Sequence, residues 1–342
     1  MIVRARAPLR LGFGGGGSDL SPFCDQHGGY VLNATINLFV YAVLEQRADG
    51  PVRFVAADRQ ECVEFDPSSD REVSGALSLH QAVYSRIMRD FNGGRPIPVT
   101  LTTYSDVAAG SGLGSSSTLV VAMVEAFKEL LTLPLGEYEV AQLAYKIERI
   151  DAGLRGGRQD QYAAAFGGFN FMEFNGGDHV IVNPLRIQRN IVNELEASIL
   201  ICNTGMPRDS DAIIRAQSAN VEKGDQQSTE ATHKLKQEAV LMKEALLKGQ
   251  IRRFAEVLEQ GWLSKKKTAQ GVSNENIERI YQTAIEGGAY AGKVSGAGGG
   301  GYMTFVVDPV RRPDVVRMLR CQQVQPTAVQ FSDQGAIAWR LR

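Results

Sequence analysis

Gly110-Ser111-Gly112-Leu113-Gly114-Ser115-Ser116-Ser117 is a run that little but polyanion binding calls for. Packed glycines let a backbone approach a ligand closely and aim successive N–H groups at one point, while serine hydroxyls add donors or a metal ligand. The stretch reads as a phosphate cradle. Residues 119–131, immediately downstream, are strongly helix-forming, so the loop is expected to open onto a helix N-terminus whose dipole and free amides favour anions.

Two better-known glycine loops compete with this reading, and both fail on detail. The P-loop needs a lysine followed by Ser or Thr directly after its last glycine, and three serines stand there instead. The dinucleotide pattern G-x-G-x-x-G is missed here at its final glycine, although Gly12, Gly14 and Gly17 meet it by spacing, as do Gly296, Gly298 and Gly301. Their contexts reject it. The last set is expected to lead from a helix into the strand 302–307, and no acidic residue stands about 20 positions beyond Gly17, where a ribose would need one.

With 342 residues and 44% hydrophobic content, the chain can bury a large core and is expected to divide into two domains, 1–190 and 191–342. Thirty-seven basic residues against 38 acidic ones leave a formal charge of −1, and the densest basic cluster is Lys265-Lys266-Lys267. That balance argues against a nucleic-acid partner. The first residues carry no apolar signal core and no segment approaches the roughly 18 apolar residues of a membrane span, so no membrane partner and a cytoplasmic location are expected. Cys24, Cys62, Cys202 and Cys321 lack C-x-x-C spacing, which points to free thiols. His27, His80, His179 and His233 stand in no ligand spacing.

Hydrophobic periodicity predicts strands at 38–44, 52–56 and 99–104 and a helix over 77–91 with Leu79, Val83, Ile87 and Phe91 on one face. A further helix is expected over 140–150, with Leu143, Ile147 and Ile150 together, and a short one over 161–166. The second half reads as a strand at 199–204, polar helices over 209–249, 251–264 and 274–286, and closing strands at 302–307 and 336–340.

Three glycine-rich segments in fixed order carry a family resemblance. They are Ala7-Pro8-Leu9-Arg10 with Gly14-Gly15-Gly16-Gly17-Ser18-Asp19, the serine loop at 110–117, and Lys293-Val294-Ser295-Gly296-Ala297-Gly298-Gly299-Gly300-Gly301. Together they resemble the three motifs of the GHMP small-molecule kinases, and Asn203-Thr204-Gly205 and Gly271-Val272-Ser273-Asn274 are most similar to the sugar-1-kinase branch, that of heptose 7-phosphate kinases and fucokinases. The resemblance implies an α+β fold: an N-terminal domain of the ribosomal S5 domain 2 type, then a ferredoxin-like domain.

It also implies roles, residue by residue. Gly110 to Ser117 would hold ATP, with Ser116 and Glu148 as Mg²⁺ ligands, which suits a hard cation that keeps most of its waters. On its own sequence neighbours Glu148 reads instead as an exposed partner of Lys or Arg. Asp160 matches the catalytic aspartate, although an Asp at the start of a helix also reads as an N-cap. Arg10 matches the basic residue facing it. Gly16, Ser18 and Asp19 match acceptor-binding positions, and Gly296, Gly298 and Gly299 would close over the transferring phosphoryl group. Arg155, Arg158, Arg208 and the run Lys265 to Lys267 are the candidates for a cationic pocket at the far end of a phosphorylated sugar; taken singly, each reads more readily as a solvated surface charge, the lysine run most of all.

The activity so implied is ATP-dependent phosphorylation of the anomeric C1 hydroxyl of D-glycero-D-manno-heptose 7-phosphate, on the way to nucleotide-activated heptose for surface polysaccharide. Kinases of fucose, mannose or galactose are the near alternative, and a non-catalytic sugar or nucleotide sensor on the same fold is the distant one. The expected partners are the sugar phosphate and ATP, with self-association into a homo-oligomer left open.

Overall fold

The computed structural model describes residues 1–66, 75–205 and 210–341. The chain opens with β1 (Ile2–Gly14), α1 (Phe23–His27), β2 (Gly29–Gln46), β3 (Val52–Ala56), β4 (Glu61–Phe65), α2 (Ser78–Phe91) and β5 (Val99–Ser105). Next come α3 (Ser115–Leu131), α4 (Glu137–Lys146), a π-turn (Ile147–Asp151), α5 (Gln159–Phe166), β6 (Phe169–Phe174) and β7 (Val180–Pro184). The second half runs α6 (Arg189–Ser198), β8 (Ile199–Asn203), α7 (Ser210–Glu222), α8 (Gln226–Leu247), α9 (Ile251–Lys266) and α10 (Glu275–Gly287). It ends with β9 (Ala289–Val294), β10 (Tyr302–Val307), α11 (Arg312–Cys321), β11 (Pro326–Thr327) and β12 (Ile337–Arg340).

Eight strands form the first sheet, in the order β12-β1-β2-β5-β3-β4, with β6 and β7 continuing from the first half of β2. The second sheet runs β11-β8-β10-β9, with every pair antiparallel. Taken in chain order, its strands stand fourth, first, third, second, the arrangement of a ferredoxin-like unit, so the α+β architecture matches the expectation.

A register break in β1 positions the site. Val3, Ala5 and Ala7 pack in a core shared with α2, α3, α4 and α5, whereas Leu9, Leu11 and Phe13 pack in a second core with α8 and α9. Between them, pairing with β2 shifts at Pro8/Arg10. From Pro8 to Arg10, β1 advances two residues while β2 advances four, from Phe39 to Thr35, so β2 bulges at this point. Beyond this break Arg10 reaches the serine loop, and Arg10 and Gly12 both line the central cavity. A third core, with Trp262, Ile280 and Phe305, sits under the second sheet.

Several expectations change. The helix over 140–150 ends at Lys146 and continues as the π-turn, whose extra residue per turn rotates the side chains beyond Lys146; Ile150 is 67% exposed, while Glu148 is wholly buried. The polar helix over 209–249 is two helices, because Gly224 adopts φ +70° and Asp225 caps α8 by accepting from Ser228 N at 2.8 Å. The loop at 295–301 joins two antiparallel strands, β9 and β10, rather than coming after a helix. The boundary drawn at 190/191 falls inside α6, and β12 lies in the first sheet, pairing with β1 from Val3↔Arg340 to Arg6↔Ile337. Residues 337–340 therefore belong structurally with the first half.

The return of the chain to that sheet runs over Gly335, where a Cβ would overlap the Ala165 carbonyl. Gly335→Ala is expected to cost about 1–3 kcal/mol in urea unfolding, the range for overpacking a tight contact. A loss below about 0.5 kcal/mol would mean that this crossing is not tightly packed.

Candidate active site

The two sheets and their loops enclose a cavity of about 700 Å³. Its floor is the serine loop. Gly110, Gly112 and Gly114 take φ of +77°, +84° and +82°, alternating with residues of negative φ, the backbone pattern that makes a concave row of N–H groups. The loop's carbonyls are occupied by neighbouring strands: Ser111 O accepts from Tyr302 N at 2.7 Å, Gly112 O from Arg10 Nη1 at 2.7 Å, and Leu113 O from Arg10 N at 3.1 Å. A trans peptide sets N–H opposite C=O, so anchoring these carbonyls frees the amides of Gly112 and Gly114 for a ligand. Ser115 and Ser116 begin α3, whose dipole points at the same place.

Arg10 is 3% exposed and reaches three ways. Beyond Gly112 O, its Nε and Nη2 both lie 2.7 Å from Asp160 Oδ1. Asp160 Oδ2 accepts no hydrogen bond among the described residues, and Asp160 lines the cavity against Gly114, where an added Cβ would come within 3.4 Å of that oxygen. Asp160 is the second residue of α5, not its N-cap, so its carboxylate serves Arg10 and the cavity rather than its own helix.

The α5 N-terminus is held instead by Asp19. Asp19 Oδ2 accepts from Arg158 N at 3.1 Å and Gln159 N at 3.2 Å, while Oδ1 accepts from Gly17 N at 3.0 Å and Gln159 Nε2 at 3.3 Å. These donors fill the lone-pair directions of a carboxylate, so Asp19, although at the cavity wall, acts as a brace. Ser18 is fully buried and spends its hydroxyl on Gly15 O and Tyr30 O, which places it behind the loop rather than against an acceptor. Gly16 and Gly17 do line the cavity.

Glu148 is wholly buried, contrary to the surface reading. Its Oε1 accepts from Ser116 Oγ at 2.8 Å and lies 3.2 Å from Arg149 Nη1; its Oε2 accepts from Ser117 Oγ at 2.6 Å and Gln161 Nε2 at 2.7 Å. A buried carboxylate needs such compensation. The π-turn supplies it by swinging Glu148 inward, and Arg86 on α2 holds that turn through two bonds to Asp151, of 2.7 and 2.6 Å.

Among the cations proposed from sequence, Arg155 is exposed at the cavity mouth and Lys265 lines its wall, donating to Gly16 O at 3.0 Å. Arg158 points elsewhere: it bonds Asn175 O, Gly177 O and Asp25 Oδ1, tying the β6–β7 hairpin to α1. Arg208 lies outside the described residues. Gly296 reaches the cavity, while Gly298 and Gly299 pack against Val272, and Gly301, at φ +81°, fits only for want of a Cβ, which would meet Ser111 O at 2.5 Å. An apolar wall of Val40, Ala56, Leu77, Leu79 and Val107 continues from the serine loop. There His80 meets Thr103 Oγ1 at 2.8 Å, and burial, aided by the Arg59 charge, pushes its pKa down to about 4, leaving the ring neutral.

Gln159, Gln161, Arg149 and Lys293 were not singled out by sequence. The glutamines flank Asp160 in one helical turn, and Lys293 opens the third glycine segment, which is the signal each offered.

Residues 78–168 match the family described as the GHMP kinases N terminal domain, and residues 242–325 match that described as GHMP kinases C terminal. The D-glycero-alpha-D-manno-heptose 7-phosphate kinase of Campylobacter jejuni is 47% identical over 339 residues, 99% of this chain and 99% of that protein. The crystal structure of a D-glycero-D-manno-heptose 1-phosphate kinase from Bacteroides thetaiotaomicron is similar with a TM-score of 0.84 and 46% identity, over 99% of both chains. Lactococcus lactis galactokinase complexed with galactose, at 19% identity and a TM-score of 0.74 over 99% of this chain and 95% of its own, shares the fold.

Asp19→Asn would turn one acceptor oxygen into a donor facing backbone N–H groups. It is expected to cost about 1–3 kcal/mol in chemical unfolding, the cost of losing charge-assisted bonds to a buried helix N-terminus. An unchanged unfolding midpoint would assign Asp19 to a ligand rather than to the brace.

Proposed function

The chain belongs to the GHMP kinases, and from this we propose that it transfers the γ-phosphoryl group of ATP to the anomeric C1 hydroxyl of D-glycero-D-manno-heptose 7-phosphate. The observation that carries the reading is the placing of the Arg10–Asp160 pair against Gly114, between the anion-binding loop and the acceptor side of the cavity. Whole-length identity to a heptose 7-phosphate kinase supports the choice of sugar, and the product is the 1,7-bisphosphate.

The chemistry stems from the donors. The N–H groups of 110–117 and the α3 N-terminus take the nucleotide's phosphates, and the wall of Val40, Ala56 and Leu79 takes the base. Arg10 occupies Asp160 Oδ1 and leaves Oδ2 as the acceptor for the C1 hydroxyl proton. The new bond joins O1 to the γ-phosphorus, the bond to the bridging oxygen of ADP breaks, and the proton passes to Asp160 Oδ2. Ser116 and Glu148 offer two hard oxygens 2.8 Å apart at the cavity wall, a donor set that fits a Mg²⁺ ion retaining phosphate and water ligands. Such an ion would neutralise charge on the β- and γ-phosphates.

On the acceptor side, Gly16 presents bare backbone: a Cβ there would meet only Gln159 Nε2, at 3.5 Å. Of the cations expected from sequence, Arg155 and Lys265 line the cavity and supply the positive charge a 7-phosphate needs, while Arg158 is engaged elsewhere.

Asp160→Asn is expected to lower kcat by 10² or more, about 3 kcal/mol of transition-state stabilisation, with the KM for ATP within about threefold of wild type. Retention of more than about a tenth of wild-type kcat would remove Asp160 from this role.

Unphosphorylated heptose is expected to show kcat/KM at least about 10²-fold below that of heptose 7-phosphate, since a lost ionic clamp costs on the order of 3 kcal/mol. Coupled ADP release across heptose 7-phosphate, heptose, mannose and fucose measures this, and ³¹P NMR locates the new phosphate. Equal turnover of fucose or mannose, or phosphorylation away from C1, would overturn the substrate and leave the kinase.

A further inference from the structure

Lys293 is the penultimate residue of β9, in register with the uncharged Thr304 of β10. Its ammonium crosses to the first sheet and donates to Gly12 O and Phe13 O, each at 3.0 Å, at the end of β1. It lines the cavity beside Arg10 and Lys265. The charges that face it are Arg10 on β1, Lys265 on α9 and Glu238 on α8; Arg10 is already engaged by Asp160, and Glu238 gives Oε1 to Ser264 Oγ at 2.8 Å. No carboxylate lies within hydrogen-bonding distance of Lys293 among the described residues. Backbone carbonyls orient an ammonium without neutralising it, and two of them leave the third of its protons unassigned.

We propose that Lys293 is a substrate-contacting residue, a ligand for phosphoryl oxygens inside the cavity. This rests on the kinase reading above. Two sources of that chemistry reach the cavity, the phosphoryl group in transit and the acceptor's own phosphate. Both are anions, and either supplies the counter-charge the protein withholds.

The electrostatics agree with the geometry. Burial, with the Lys265 and Arg10 charges adding and Glu238 opposing, pushes the Lys293 pKa down to about 7. The free protein therefore loses this proton as pH rises through about 7, and an anion bound against the amine draws it back. Between that pH and the ordinary lysine range, binding should take up a proton.

Lys293→Arg and Lys293→Met in the full chain test this. Calorimetry at pH 8 in two buffers of different ionisation enthalpy counts protons on binding of ATP and of heptose 7-phosphate separately. Wild type is expected to take up more than K293R, by a difference approaching about one proton, with the ligand that Lys293 contacts. K293M should weaken that ligand by roughly 10-fold or more, the worth of one hydrogen bond to a charged group, and K293R should recover most of it.

Kinetics separate the sources. A K293M loss confined to the phosphorylated acceptor identifies its phosphate, and an equal fall in kcat with free heptose identifies the group in transit; each supports the proposal. Equal proton counts for wild type and K293R with both ligands would overturn it, as would K293M binding both within about threefold of wild type. Should K293M not fold, the K293R proton count decides alone. Failure of the heptose reading appears separately, as absent turnover of heptose 7-phosphate by wild type, with the ATP arm still deciding Lys293.

Discussion

One guanidinium joins the parts of this site that the chain makes far apart. Arg10, on β1, bonds Gly112 O in the serine loop and Asp160 Oδ1 on α5, and its own amide bonds Leu113 O. A planar fork with fixed donor directions sets the relative position of all three partners, which a flexible ammonium would do less well. Arg10 lies just beyond the register break in β1, between Leu9 and Leu11 of the second core, where a charge without such partners would be prohibitively costly. The rest of the cavity is arranged around that fork.

Three other tethers complete the enclosure. Tyr302 N on Ser111 O ties the second sheet to the serine loop, and Lys293 on Gly12 O and Phe13 O ties it to the end of β1. Asp19 holds the N-terminal glycine run to the start of α5. The Tyr302 and Asp19 tethers each join a glycine-rich loop to a regular element, so loops that carry few side chains of their own are nonetheless fixed, while Lys293 joins strand to strand. Pre-organised N–H groups of this kind need little rearrangement when charge develops on a ligand.

The three glycine loops were legible in sequence because their chemistry is local: alternate glycines at 110, 112 and 114 announce positive φ whatever surrounds them. Strands such as Val52–Ala56 and helices such as Ser78–Phe91 came from periodicity for the same reason. What sequence hid was non-local. The burial of Glu148 depends on a π-turn whose partners are Ser116, Ser117 and Gln161, on two other elements, so its neighbours Lys146 and Arg149 suggested a surface instead. Ser18 and Arg158 look like ligands in a motif and prove to be internal fasteners, since nothing in their spacing says which way a side chain turns. β1 escaped notice because Pro8 and the glycines at 12 and 14 interrupt a strand that its pairing with β2 sustains.

The pairing of β12 with β1 bears on how the molecule is made. Val3 to Arg6 have one neighbour in β2 and the other in residues 337–340, so during synthesis the outer edge of β1 stays unpaired until the last strand emerges. Contacts between such distant positions form late, and an open edge in the interval can pair with another chain. The strand that carries Arg10 is therefore among the last to be locked, and assembly of the reactive centre is coupled to the emergence of residues 337–340: a ribosome-bound nascent chain holds every glycine loop before it holds a finished sheet to mount them on.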